Sequence, residues 1–415
     1  MKKFLALLLA TLLVFTCVSA LAQEKVTLKI YAQYADDDTK VPYDYAVEKL
    51  AEAYPNVELE LIVQAQDDGA TLLSLAAAGQ LPDIYQTGSG IFATLRQSNQ
   101  MMVLNDVAEK TGFADKVYET CKEFLYSDDG NIYAFPYAGH EYVLLYVNTA
   151  LFEQYGLEIP TTFDELKACA EVFNANGIVP MALFAQEGWN AAAMYDIVAT
   201  RYNAGGIKAL DNGTAQITEE AYLKAAEVVA DLAQAGVFQT GATSTNYDQA
   251  SEMFLSGKAA MFINGQWYIP DAEKALGANA TFIPYPSYSE EAFEASKTAY
   301  CGSGSVSGYA VNPDSPNAEL AAEVAAFISE KYCEAKITLR SSPLVALDVG
   351  MTNDQLPKMM QDLVATIPTM TSTTAFTWGL TNATFTEAIG TWSQALISGE
   401  YTAQEVIDEI AAVME

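Results

Sequence analysis

Two hydrophobic periods alternate near the start of the chain, and this alternation limits the fold more than any other feature. Val26-Thr-Leu-Lys-Ile-Tyr31 alternates apolar and polar residues and is rich in β-formers, which predicts a strand. Residues 43–54 follow with helical spacing of Tyr45, Leu50 and Tyr54, and Pro55-Asn56 ends them. Val57 to Val63 alternates again, Thr71 to Ala78 returns to a helical pattern stopped by Gly79, and Asp83-Ile84-Tyr85 opens a third strand. Strand–helix–strand order of this kind packs as α/β layers with parallel pairing. Later helices are predicted at 162–175, 218–235, 316–333 and 401–414. Each opens on a capping residue: Thr162 with Glu165, Thr218, Ser315 before Pro316, and Thr402 with Glu405. A chain of 415 residues exceeds one compact core and implies two domains or three. No repeat or low-complexity linker divides it, so several crossings between domains are expected.

The first residues read as an address. Met1-Lys2-Lys3 is basic, Phe4 to Val18 is apolar, and Ala20-Leu21-Ala22 supplies the small residues of a cleavage site. A signal peptide over 1–22 and an extracytoplasmic protein, in a periplasm or at a cell surface, are expected. The apolar run is shorter than the ~20 residues that span a bilayer. Lipidation at Cys17 is the alternative, but Val14-Phe15-Thr16 fits a lipobox poorly. Cys121, Cys169, Cys301 and Cys333 would remain in the mature chain. They could pair in three ways, and buried free thiols are the preferred reading.

Charge and residue counts exclude several chemistries. The chain carries 53 acidic against 21 basic residues, a net charge of −32, which repels phosphate backbones; no nucleic-acid partner is expected. One histidine, His140, argues against triads and His-rich metal sites. Gly302-Ser-Gly-Ser-Val-Ser-Gly308 lacks the lysine of a P-loop and reads as a flexible return into a strand. Asp36-Asp37-Asp38 lacks the spaced ligands of a calcium loop and reads as a solvated loop. No Gly-x-Ser-x-Gly elbow is present. Two carboxylates opposed across a cleft, as in a glycosidase, stay open with so many acids.

Ordered motifs carry a resemblance. Residues 73–84 read Leu-Ser-Leu-Ala-Ala-Ala-Gly-Gln-Leu-Pro-Asp-Ile. Tyr133-Ala-Phe-Pro, Leu144-Leu-Tyr-Val-Asn148 and Pro160-Thr-Thr-Phe-Asp-Glu-Leu166 follow. Met253-Phe-Leu-Ser-Gly-Lys-Ala-Ala-Met-Phe-Ile-Asn-Gly-Gln-Trp267 and Leu396-Ile-Ser-Gly-Glu-Tyr-Thr-Ala-Gln-Glu-Val406 complete the set. Over the whole mature chain this resembles the family 1 extracellular solute-binding proteins of ABC importers, the branch of the maltose-binding proteins. The resemblance implies an α/β fold of the type II periplasmic-binding-protein kind, with two discontinuous lobes, a hinge and a ligand cleft between them. By analogy the first lobe comprises 23–143 and 284–346, and the second 144–283 and 347–415. It further implies a monomer, without cofactor or metal and not an enzyme. Such a protein captures a carbohydrate, an oligosaccharide, by hinge closure and delivers it to a membrane ABC permease. A binding protein for a non-sugar solute and a secreted glycan hydrolase remain as alternatives.

A sugar offers apolar C–H faces and a ring of hydroxyls, which call for aromatic planes and for carboxylates, amides or backbone groups. Three of the four tryptophans fall where strand-end loops are expected. Trp189 follows a strand at 178–184, Trp267 follows one at 259–263, and Trp378 precedes a helix. By similarity all three lie at or near the family's stacking positions, with Phe376 as a substitute for Trp378. Trp392 reads as core. Glu141 stands where relatives place a hydroxyl-binding carboxylate, with His140 and Tyr142 on the same crossover. Thr87 and Ser89 lie in a turn that forms a further contact strip. That turn lacks the tryptophan and the acid of the maltose-binding pattern, and Tyr34 and Asp36 match it only loosely.

Overall fold

The computed structural model describes residues 25–414, apart from 68, 303, 305 and 306. The expected signal peptide and Cys17 lie outside the described residues. Among the described residues no helix is long and apolar enough to cross a membrane.

Two sheets organise the chain. The first contains β1 (Val26–Ala32), β2 (Val57–Val63), β3 (Ile84–Thr87), β4 (Ala134–Phe135) and β10 (Gly308–Val311), in the order β2-β1-β3-β10-β4. β1 is parallel to β2 and β3, while β10 returns antiparallel between β3 and β4. The second contains β5 (Val143–Asn148), β6 (Val179–Ala182), β7 (Ala259–Gly265) and β8 (Ala280–Ile283), in the order β6-β7-β5-β8. A short parallel ladder joins β9 (Ala299–Tyr300) to β11 (Ser372–Thr373). The chain passes from the first sheet to the second at residues 136–142 and returns to the first at β10.

Alternation works as predicted in β1, where Leu28 and Ile30 are buried between exposed Thr27 and Lys29. Helix packing then covers the sheet: the long helix Ala318–Leu339 lies against Asp37–Ala53, with Val324, Ala325 and Ile328 facing Tyr43, Ala46 and Leu50 in one core. The second sheet is buried on both faces, so β5 and β7 are continuous apolar runs without alternation. Their core takes in Phe173, Phe262, Leu396 and Ile410. The capping box at Thr162 forms, with Glu165 N donating to Thr162 Oγ1 at 3.2 Å and Thr162 N to Glu165 Oε2 at 3.1 Å. Such a cap stabilises its helix by about 1 kcal/mol. The four cysteines are free and buried.

Three local expectations change. Asp36–Asp38 is not a solvated loop, because a helix starts there. Asp36 caps it by accepting from Thr39 N at 3.1 Å, and buried Asp38 pairs with Lys336 at 2.5 Å and Arg340 at 3.5 Å. That helix runs from Asp37 through Pro42, which cannot donate to Asp38 O; the Tyr332 hydroxyl reaches that carbonyl at 3.4 Å instead. Two caps also move: Asn317, not Ser315, is the cap of the long helix, which continues to Leu339, and Glu219, not Thr218, precedes the helix Glu220–Gln234. Arg340 also donates to Asp271 at 3.0 Å, so one guanidinium links helices that belong to different sheets.

Candidate ligand-binding site

The carboxyl ends of β6 and β7 present the tryptophans. Glu187 opens the helix Gly188–Ala199, and its carboxylate accepts from Trp189 Nε1 at 2.9 Å and from Tyr247 N at 3.3 Å. That fixes the Trp189 indole against Phe184, with ring centroids 5.1 Å apart. After β7 the chain turns at Gly265, and the Trp267 ring folds back over it. A Cβ there would lie 2.2 Å from the indole, so only glycine permits this close approach.

Trp378 arrives from far along the chain. It stacks on Phe376 with centroids 4.2 Å apart and planes inclined 12°. Trp189 meets Trp378 at 5.3 Å and Trp267 at 5.9 Å, and Trp267 meets Phe376 at 5.8 Å. The four rings thus form one aromatic wall. Trp189 and Phe376 are buried in it, while Trp267 and Trp378 keep partly open surface. Phe376 and Trp378 both take part, so neither substitutes for the other. Trp392 stands apart, edge-on to Tyr401 at 5.2 Å.

The crossover from the first sheet passes beside this wall. Gln266, next to Trp267, pins Tyr142 by two bonds: Tyr142 N donates to Gln266 Oε1 at 2.7 Å, and Gln266 N donates to Tyr142 O at 2.9 Å. Gly302 lies in the left-handed region at φ 106°. A Cβ on it would meet Glu141 O at 2.6 Å and Phe376 at 2.9 Å, so the crossover and the wall converge on that glycine. Glu141 is half-buried on this crossover. Burial pushes its carboxyl up to about 7, with Lys336 opposing and Asp38 reinforcing the shift.

The first sheet contributes a polar edge. Thr87 ends β3 buried, and its hydroxyl has no hydrogen-bond partner among the described residues. Gly88 follows beside Trp378: a Cβ on it would lie 3.6 Å from Trp378 Cβ, an ordinary contact, so this turn faces the segment that carries the wall. Ser89 begins the helix Ser89–Gln97. Asp36 stands near Tyr247 of the second sheet's side: burial holds that phenol well above its usual range, and Asp36 adds to the rise.

Two of the predicted residues turn elsewhere. The Tyr34 hydroxyl donates to both carboxylate oxygens of Asp44 at 3.1 Å. His140 stacks edge-on against Phe124 at 4.9 Å, and its Nε2 lies 3.0 Å from Thr120 O. Tyr142 is buried, and what it offers Gln266 is its backbone. Sequence reasoning missed Glu187, Gln266 and Tyr247. Glu187 and Gln266 were within reach as polar neighbours of the tryptophans; nothing along the chain singles out Tyr247. Surface depressions of about 340 Å³ beside Asp83 and about 570 Å³ beside Lys167 are lined by none of these residues.

Two α/β bodies meeting across an aromatic wall and a polar turn define a ligand-binding protein of the two-lobe type. Residues 36–331 match the bacterial extracellular solute-binding protein family, and the chain belongs to that family. It is 24 % identical over 255 residues to an uncharacterised ABC transporter extracellular-binding protein of Pyrococcus horikoshii, covering 59 % of this chain and 56 % of that one. It is 23 % identical to the multiple sugar-binding protein of Streptococcus mutans, covering 60 % and 59 % of the two chains. The matched stretch is therefore a little over half of each relative's length. Among solved structures, one from work on xylan utilization by Caldanaerobius polysaccharolyticus superposes with a TM-score of 0.82 at 21 % identity, covering 93 % of this chain and 99 % of that one. A chitin oligosaccharide binding protein gives 0.81 at 20 % identity, covering 94 % and 98 %. These likenesses establish the shared fold.

Proposed function

We propose that this protein captures an oligosaccharide outside the cytoplasm and hands it to the permease of an ABC importer. The observation that carries this reading is the wall of Trp189, Trp267, Phe376 and Trp378 opposite the Thr87-Gly88 turn. Flat rings cover the C–H faces of a sugar, while Glu141, Asp36 and Thr87 supply partners for its hydroxyls. Relatives and structural neighbours whose names specify sugars and chitin oligosaccharides support the same ligand class.

The mechanism is binding coupled to closure. A ligand that touches both walls favours the closed arrangement by the difference in its contacts with the two states. In this reading residues 25–142 and 307–346 move with the first sheet, and 143–301 and 347–414 with the second. The analogy had placed 284–301 with the first lobe, but Tyr285, Tyr300 and Cys301 pack in the second core. The protein acts as a monomer, needs no cofactor or metal, and makes or breaks no bond.

A thermal-shift screen against oligosaccharides tests this, since a ligand that binds only the folded state raises its melting temperature. The expected result is a shift with a sugar that is recovered unchanged after hours with the protein. Cleavage products would replace capture with hydrolysis. A shift only with non-sugar solutes would overturn the ligand class.

A further inference from the structure

We propose that Asp196 is a positioning residue for the Phe376–Trp378 pair, acting through Thr374 and touching no ligand itself. This role rests on the sugar-binding reading of the cleft and adds the joint that sets the shape of its wall.

The segment that carries these rings has little regular structure, only the two residues of β11 and a single turn at Thr377–Gly379. Rings stacked at 4.2 Å do not by themselves fix the backbone that bears them. The fixing comes from Thr374, which is fully buried. Its N–H donates to Tyr300 O at 3.2 Å, and its hydroxyl donates to Asp196 Oδ2. The other Asp196 oxygen accepts from Ile207 N at 2.7 Å.

Asp196 lies on the helix that starts at Gly188, two turns beyond Trp189 and on the same side. One helix therefore carries both Trp189 and the carboxylate that anchors the partners of Trp189. The ring geometry agrees, with Trp189 edge-on to both Trp378 at 5.3 Å and Phe376 at 6.0 Å.

A carboxylate at 0 % exposure is a costly core residue. The groups that donate hydrogen bonds to it, Thr374, Ile207 and the Cys301 thiol, are neutral. The guanidinium of Arg201, the nearest cation acting on it, donates instead to Thr200, Tyr285 O and Ala299 O. A residue needed only to fill space would not be acidic here. A charge-assisted bond is shorter and stiffer than a neutral one, which is what a joint for two rings requires.

Thr374→Val keeps the shape and removes the donor; Thr374→Ser keeps the donor. Near-UV circular dichroism of the tryptophan bands reads ring geometry without a ligand. Titration with chitotetraose or xylotetraose, whichever raises the wild-type melting temperature, reads the wall. Thr374→Val should alter the tryptophan bands as Trp378→Ala does and weaken binding about fivefold, the scale of one lost hydrogen bond. Thr374→Ser should restore both. Wild-type bands in Thr374→Val would overturn the proposal. So would altered bands with unchanged affinity in a protein whose Trp267→Ala variant binds weakly. If wild type binds neither sugar, the affinity readout passes to whichever oligosaccharide raises its melting temperature, and the bands still decide whether the joint sets the rings. Asp196→Asn, where it folds, should match Thr374→Val in both readouts.

Discussion

The two faces of the cleft are built from opposite materials. The second sheet's side is an aromatic wall whose rings pack on one another before any guest arrives. The first sheet's side is a short polar edge, with a buried hydroxyl at Thr87 that has no partner among the described residues and with Gly88 beside Trp378. An apolar wall is stable in the free protein because its rings bury one another. A hydroxyl without a partner is not stabilising until something bonds to it. Under the proposed function, that contrast is a division of labour: the second side would hold the guest, and the first side would gain its missing partner on closing.

Substitutions can break or sharpen that contrast. Trp267→Ala should have the largest effect, a loss of about 2 kcal/mol or ~30-fold in sugar affinity by calorimetry. A larger loss from any first-side variant would reverse the assignment of roles.

Glu141→Gln on the crossover should come next, with a loss of about 1 kcal/mol in binding. It also carries a pH signature. Glu141 titrates at about 7 when folded against an ordinary value of 4.5, so across that window the folded protein holds a proton the unfolded chain has released. Stability must therefore fall as pH rises through the window, and below it Glu141 contributes nothing. Melting curves of the free variant should match wild type near pH ~4 and exceed it near pH ~8.

Thr87→Val tests the first side itself. Removing a hydroxyl that bonds to nothing should leave the free protein's melting temperature unchanged or higher, while sugar affinity falls by about 1 kcal/mol. A lower melting temperature would show that the hydroxyl already serves the fold.

Tyr34→Phe should do least. Its hydroxyl is engaged with Asp44, so binding should change by less than about 0.3 kcal/mol. A clear loss of affinity would extend the polar edge to the first strand's loop.

Much of the architecture was legible along the chain because its causes are local. Strand alternation at Val26–Ala32, the Thr162 box and the helix stop at Gly79 each depend on neighbours a few residues apart. The positions of Trp189 and Trp267 after strands were legible from the strand pattern, while Glu141 was singled out only through the family resemblance. Tyr34 and His140 were placed by the same logic, but position near a strand end does not determine where a hydroxyl or an imidazole turns. Asp36–Asp38 misled because an acidic run looks solvated until its cations are known, and Lys336 and Arg340 lie nearly three hundred residues away.

By itself the sequence determined the α/β class, the order of strands and helices and the residue types available to a sugar site, since period, capping and turn chemistry act within a few residues. Only the tertiary structure decided that Trp189, Trp267 and Trp378 share one wall, that Asp38 is buried with its cations, and that Asp196 grips Thr374. Those contacts join residues far apart along the chain. Their energies depend on packing and on distance from water, and neither exists until the two bodies have folded and met.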